Sequence, residues 1–254
     1  MQVLVYDGSF AGLLTAVFDV YEYKYAGATI VPEARRQDSI FATSHMVYTD
    51  EIKAQRVWKG LEATINRAGI NALYRTFLSE QAGMEDMLLR YMQYAFLKGN
   101  IGSDYSHEAV RYVTDTAKKV HREKHRMEAF VRFQLTKDNL YYATVEPDFN
   151  VLPLIEPHFR KRYADQRWLI YDVKRKYGLY YDLKQVQYIT LTFNDAHGNG
   201  KAVAAILDET EEIYQQLWQK YFASVNIASR KNMKLHIQHM PRRYWKYLPE
   251  KQPR

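Results

Sequence analysis

The chain has no cysteine among its 254 residues. That absence excludes disulfides, thiolate zinc sites, a cysteine nucleophile and a cysteine-held iron–sulfur cluster. No apolar stretch approaches the roughly 20 residues that a membrane-crossing helix needs. Nor does a basic start lead into an apolar centre and a small-residue cleavage site. The expectation is a cytoplasmic protein with no membrane partner. Glycine is sparse, at 11 residues, and Gly8 and Gly12 complete neither G-x-G-x-x-G nor a Walker loop. No Ser-His-Asp set and no paired-carboxylate motif stands out, and no cofactor is expected.

Acidic residues are also missing where they matter most. From Arg230 to Lys246 there are six Lys or Arg and no Asp or Glu. Tyr244, Trp245 and Tyr247 interleave the second half of that run. Cations with flat π surfaces between them suit a polyanion whose bases can stack. The same pattern also suits a clamp in which Trp245 fills a groove of its own domain. Charge is uneven along the whole chain. Residues 1–110 carry 10 basic and 13 acidic groups, residues 111–180 carry 15 and 9, and residues 181–254 carry 11 and 7. The net +7 therefore comes wholly from the C-terminal part, which is a statement about partners rather than fold.

Three motifs carry a resemblance. They are Tyr6-Asp7-Gly8-Ser9-Phe10-Ala11-Gly12-Leu13-Leu14, His125-Arg126-Met127-Glu128-Ala129-Phe130, and Met240-Pro241-Arg242-Arg243-Tyr244-Trp245 with Leu248-Pro249-Glu250. Together they resemble a bacterial family called probable DNA metabolism protein. Its members are typically encoded beside a radical-SAM putative DNA modification and repair protein. A homologous domain of unknown function occurs fused to uracil-DNA-glycosylase-like domains. The resemblance implies a role in DNA metabolism or repair, DNA as a partner, and a radical-SAM protein as a second partner. Any iron–sulfur cluster would then sit in that partner, since this chain lacks cysteine. The resemblance assigns no reaction, so whether the chain is an enzyme stays open.

Periodicity predicts an α+β fold, with an antiparallel-rich sheet and helices mainly on one side. Gln2–Tyr6 reads as a strand, with Ser9 capping a helix that carries Phe10, Leu13, Leu14, Val17 and Phe18. A short strand is expected near Ile40–Val47. A helical block follows over about 50–125, with breaks at Asn66–Asn71 and Lys98–Gly102. Met127, Ala129, Val131, Phe133 and Leu135 alternate with polar residues and predict a strand, paired as a hairpin with Leu140–Val145. A helix at about 151–163, a hairpin of Trp168–Val173 with Leu179–Tyr181, and a strand Val186–Phe193 complete a sheet-rich part over about 126–195. Asp208 and Glu211 resemble a capping box, and C-terminal helices are expected over about 208–247. No linker demands a cut, so residues 1–254 read as one domain.

Candidate nucleic-acid contacts are Lys118, Lys119, Arg122, Arg126, Arg162, Arg175, Arg230, Arg242, Arg243, Tyr244 and Trp245. Cations near a helix C-terminus are also favoured by the helix dipole alone, so the cluster 118–126 has a structural reading as well. His121 and His125 share a helix face and are weak metal candidates; the spacing lacks the glutamate of H-E-x-x-H. Asp172, flanked by apolar and aromatic residues, is the candidate general base. The favoured reading is a structural bridge to Arg175, Arg162 or Arg132. The leading expectation is a nucleic-acid-binding protein. The alternatives are a stand-alone hydrolase of a nucleobase or phosphodiester, and a non-catalytic interaction module.

Overall fold

The computed structural model describes residues 2–36, 43–190 and 237–251. The expected helix from Asp208, the loop 195–200 and Arg230 lie outside the described residues. The chain divides into two compact units, Met1–His121 and Arg122–Arg254. The division falls inside a helix, so no linker accompanies it.

The first unit opens on β1 (Gln2–Tyr6), α1 (Phe10–Glu22), β2 (Thr29–Pro32) and β3 (Thr43–Met46). These strands form a sheet of order β2-β1-β3, with β1 parallel to each neighbour. Leu4, Val5 and Tyr6 of the central strand are buried, as parallel strands require when both faces are covered. Four helices follow: α2 (Glu51–Thr64), α3 (Arg67–Phe77), α4 (Met84–Lys98) and α5 (Glu108–Phe130). The caps are those the side chains dictate. Ser9 Oγ accepts from Gly12 N at 2.9 Å, Asp50 Oδ1 from Ile52 N and Lys53 N, and Asn66 Oδ1 from Gly69 N at 2.9 Å. Gly99 ends α4 at a positive φ of 83°, a conformation that side chains resist. Phe10 joins the layers by meeting Trp58, Tyr74 and Phe77 at ring distances of 5.0–5.6 Å.

The turn after β1 explains the first motif. Asp7 accepts from Ser9 N and from Thr49 Oγ1, each at 2.8 Å. Partial burial pushes its carboxyl up, but these hydrogen bonds outweigh that and hold it below the usual range. A Cβ on Gly12 would lie 2.3 Å from Asp7 Oδ1, so only glycine fits beneath the carboxylate. The start of α1 thus carries an anion supplied by the chain itself.

In the second unit the sheet is five-stranded, in the order β4 (Gln134–Leu135), β5 (Tyr141–Val145), β6 (Trp168–Asp172), β7 (Tyr177–Tyr181) and β8 (Val186–Ile189). Three of its pairings are antiparallel, while β5 and β6 run parallel across α6 (Leu152–Arg162). Trp168, fully buried, packs against Phe159 of α6 and Tyr181 of β7. Gly178 sits opposite Tyr171, and a Cβ there would meet Ile170 O at 2.9 Å.

The α+β class stands, with one sheet mixed and one wholly parallel, so the antiparallel-rich description holds only in part. Two further expectations need correction. Residues 127–130 are the last turn of α5, and only Gln134–Leu135 of the expected strand exists. The apparent alternation of Met127 and Ala129 is outweighed by the helical repeat Val113, Ala117, Val120, Glu123, Met127, every member of which is buried. The strand β2 was not expected, because its four residues end in Pro32. No helix among the described residues is long and apolar enough to cross a membrane.

Candidate nucleic-acid interface

The last two motifs meet in the second unit, and a buried carboxylate joins them. Glu123 is 1 % exposed and lies on the inner face of α5. Its Oε1 accepts from Asp148 N at 2.9 Å. Its Oε2 accepts from Arg243 at 2.9 Å, and Arg126 stands 3.7 Å away. Arg243 also reaches Asp148 Oδ2 at 2.8 Å. One glutamate therefore ties α5 to the loop between β5 and α6 and to the C-terminal segment.

That segment forms 3-10 turns at Arg242–Tyr247 and Pro249–Lys251. Proline at 241 sets the entry, and the residues that turn inward are four apart. Tyr244 and Leu248 are buried, the former against Phe130 at a ring distance of 5.6 Å. Burial, reinforced by the Glu123 carboxylate, raises the Tyr244 phenol above its ordinary pKa. The Tyr247 hydroxyl donates to Glu146 Oε2, as does Lys246. These two donors hold the Glu146 carboxyl below its usual range, and the Tyr247 phenol is raised by burial and then by that carboxylate. Arg132 Nη2 meets Glu250 at 3.0 Å, where the glutamate side chain is wholly buried.

Trp245 is different. It is partly buried, and its indole N–H donates to Met240 O at 3.0 Å within the same segment. Two cations lie over its ring: Arg242 at 5.8 Å and Lys251 at 5.2 Å from the centroid. Both are within the range of cation–π attraction. Trp245 is thus less deeply buried than its neighbour Tyr244.

Asp172 is fully buried. Its Oδ1 accepts from the backbone N–H of Lys174 and Arg175, and its Oδ2 from Arg175 Nη1 at 2.9 Å. Arg175 reaches on to the carbonyls of Pro147 and Asp148, each at 3.1 Å. The pair thus locks the β6–β7 turn to the loop that also carries Glu146.

The remaining candidates divide by exposure. Lys119 and Arg122 on α5 and Arg242 are exposed and form no ion pair among the described residues. Arg162, at the end of α6, is exposed with its guanidinium 5.8 Å from the Tyr163 ring. Lys118 approaches Asp115 at 3.4 Å, with more than half of each side chain in solvent. Such a pair contributes little. His125 stands 3.9 Å from Glu128, and His121 is exposed. Among the described residues no three His, Asp or Glu side chains gather as a metal site would require.

Residues that were not candidate site residues in the sequence carry much of this arrangement: Glu123, Asp148 and Lys251, with Arg132 and the motif residue Glu250. Glu123 had a usable signal. It is an acid inside a basic run, at helical spacing from the apolar Val120 and Met127.

The chain matches, over residues 82–250, the family described as a domain of unknown function, DUF4130. That span is well over half of the sequence, and the chain belongs to this family. No curated protein matches it. Among solved structures it is similar to the pGpG-specific phosphodiesterase PggH from Vibrio cholerae, at 10% identity and a TM-score of 0.36, over 89% of this chain and 99% of that one. A likeness of that size carries no argument about activity.

Proposed function

We propose that the chain is a nucleic-acid-binding protein of DNA metabolism or repair that acts in the cytoplasm with a radical-SAM enzyme. The carrying observation is Trp245, a partly buried indole with Arg242 and Lys251 over its ring. A base stacks on such a ring while the cations meet flanking phosphates. Arg122 and Arg162 of the same unit supply further charge that is unpaired among the described residues. The cysteine-free chain contributes recognition, and the partner contributes the iron–sulfur cluster. A titration of purified protein with single-stranded oligonucleotide at several salt concentrations tests the reading; the affinity should be measurable and fall with salt.

Asp172 serves this reading as a structural residue, since each of its oxygens already accepts a hydrogen bond. The burial of Tyr244 and Leu248 favours a second reading, in which the C-terminal segment is only a clamp. Retained binding to a protein partner without any affinity for oligonucleotide would favour that reading.

A further inference from the structure

The first unit holds a cleft that the reading above does not use. It has a volume of about 360 Å³ and is lined by Arg90, Gln93, Tyr94 and Leu97 of α4 and by His107, Glu108 and Ala109 at the start of α5. That volume lies within the range of small-molecule sites. Its wall is built rather than incidental. The His107 imidazole lies flat on the Tyr94 ring, with centroids 3.9 Å apart and planes at 9°. The Tyr94 hydroxyl is fixed by Asp104 Oδ2, and Ser106 Oγ holds the other oxygen of that carboxylate. Asp104 is therefore saturated by its neighbours and is not available to a ligand.

The donors at the cleft are not saturated. Among the described residues the buried His107 Nδ1 has no hydrogen-bond partner, so a ligand would meet the other ring nitrogen, Nε2. The Gln93 side chain is exposed and makes no hydrogen bond among the described residues. The Arg90 guanidinium is 60 % exposed and approaches Glu108 at 3.6 Å, whose side chain is 63 % exposed, while its charge also acts on Asp86 one turn earlier on α4. A contact that long between two solvated groups is a weak tether. Leu97, 77 % exposed, supplies an apolar wall beside the aromatic stack.

We propose that this cleft binds a phosphate monoester carried on a flat organic body, the class that includes nucleoside monophosphates and the phosphorylated end of a strand. Arg90 takes the phosphate with a forked, charge-assisted pair. Gln93 and His107 Nε2 donate to its remaining oxygens. The flat body rests on Leu97 and the Tyr94–His107 stack. Glu108 is the internal competitor that the ligand displaces from Arg90. This site lies wholly in the first unit and is independent of Trp245.

Isothermal titration of the full chain with adenosine monophosphate tests the proposal, alongside inorganic phosphate and a short oligonucleotide with a terminal phosphate. Saturable binding of the nucleotide, weaker binding of inorganic phosphate, and at least tenfold weaker nucleotide binding in Arg90→Gln are expected. Glu108→Gln should bind the nucleotide more tightly, whereas a merely structural Arg90–Glu108 pair predicts no gain. Binding of the oligonucleotide alone would assign the site to strand ends. Melting curves confirm that each variant is folded, and Gln93→Ala, an exposed change, serves if Arg90→Gln is not. No saturable binding of either organic phosphate at millimolar concentration overturns the proposal, as does an affinity unchanged in Arg90→Gln or Gln93→Ala.

Discussion

Arg243 and Glu123 are 120 residues apart in sequence and 2.9 Å apart in space. The cation comes from a run that looks, in sequence, like an open basic surface. It is instead spent on a carboxylate buried inside the same unit. Asp172 with Arg175 and Glu250 with Arg132 repeat the theme. Basic residues in the motifs therefore fall into two groups, those that hold the unit together and those that stay in solvent.

Arg243→Ala should destabilise the second unit by about 1–2 kcal/mol. The loss leaves Glu123 buried with a weaker partner, Arg126, but Arg243 is itself 40 % exposed, so the full cost of breaking a buried pair does not apply. Urea unfolding measures it. Arg242→Ala, one residue away, should leave stability within about 0.5 kcal/mol.

Asp172→Asn should cost more, about 3–5 kcal/mol, because Arg175 is 9 % exposed and loses a wholly buried partner. Oligonucleotide affinity per folded molecule should not change. A variant that keeps its melting temperature while losing a measured activity would overturn the structural role given to Asp172.

Stability should fall at each end of the pH range for identifiable reasons. The Glu146 carboxyl is held below its usual range, so its contribution is present above the unfolded carboxylate value, about 4.3, and is lost as pH falls through the lower folded value. Tyr244 and Tyr247 are raised, so their contribution is present below about 10, the unfolded phenol value, and is lost as pH rises beyond it. Urea midpoints against pH should show both arms. Tyr247→Phe should make the alkaline arm less steep without removing it, since buried phenols such as Tyr6 and Tyr142 are raised too, and an unchanged arm would count against this account.

Much of the fold was legible in local signals. Ser9 caps a helix as its position suggested, and the expected breaks at Asn66–Asn71 and Lys98–Gly102 hold the Asn66 cap and Gly99, whose φ of 83° glycine adopts without strain. What failed was pairing at a distance. A four-residue strand ending in Pro32 gives no sign that it lies parallel to β1, and the β5–β6 pairing depends on a crossover through α6. At the candidate site the residue types were legible but their partners were not. Sequence spacing cannot tell Arg243, which reaches Glu123, from Arg242, which lies over Trp245.

Salt dependence should report on the exposed group alone. If Arg122, Arg162, Arg242 and Lys251 each meet a phosphate, log K for single-stranded DNA should fall with log salt at a slope of about −3, from about −0.7 per contact. Arg242→Ala should reduce that slope by about one contact. A slope near zero would leave the exposed cations without the assigned role.

The most direct measurement is Trp245→Ala, with urea unfolding and single-strand affinity taken on the same sample. The indole is partly buried, its N–H bond is local, and the neighbouring Tyr244 occupies the core in its place. The account predicts a loss of about 1–3 kcal/mol in affinity for single strands and a stability change under about 1.5 kcal/mol. A stability loss of about 3–5 kcal/mol, with affinity per folded molecule unchanged, would contradict it and make Trp245 part of the clamp alone.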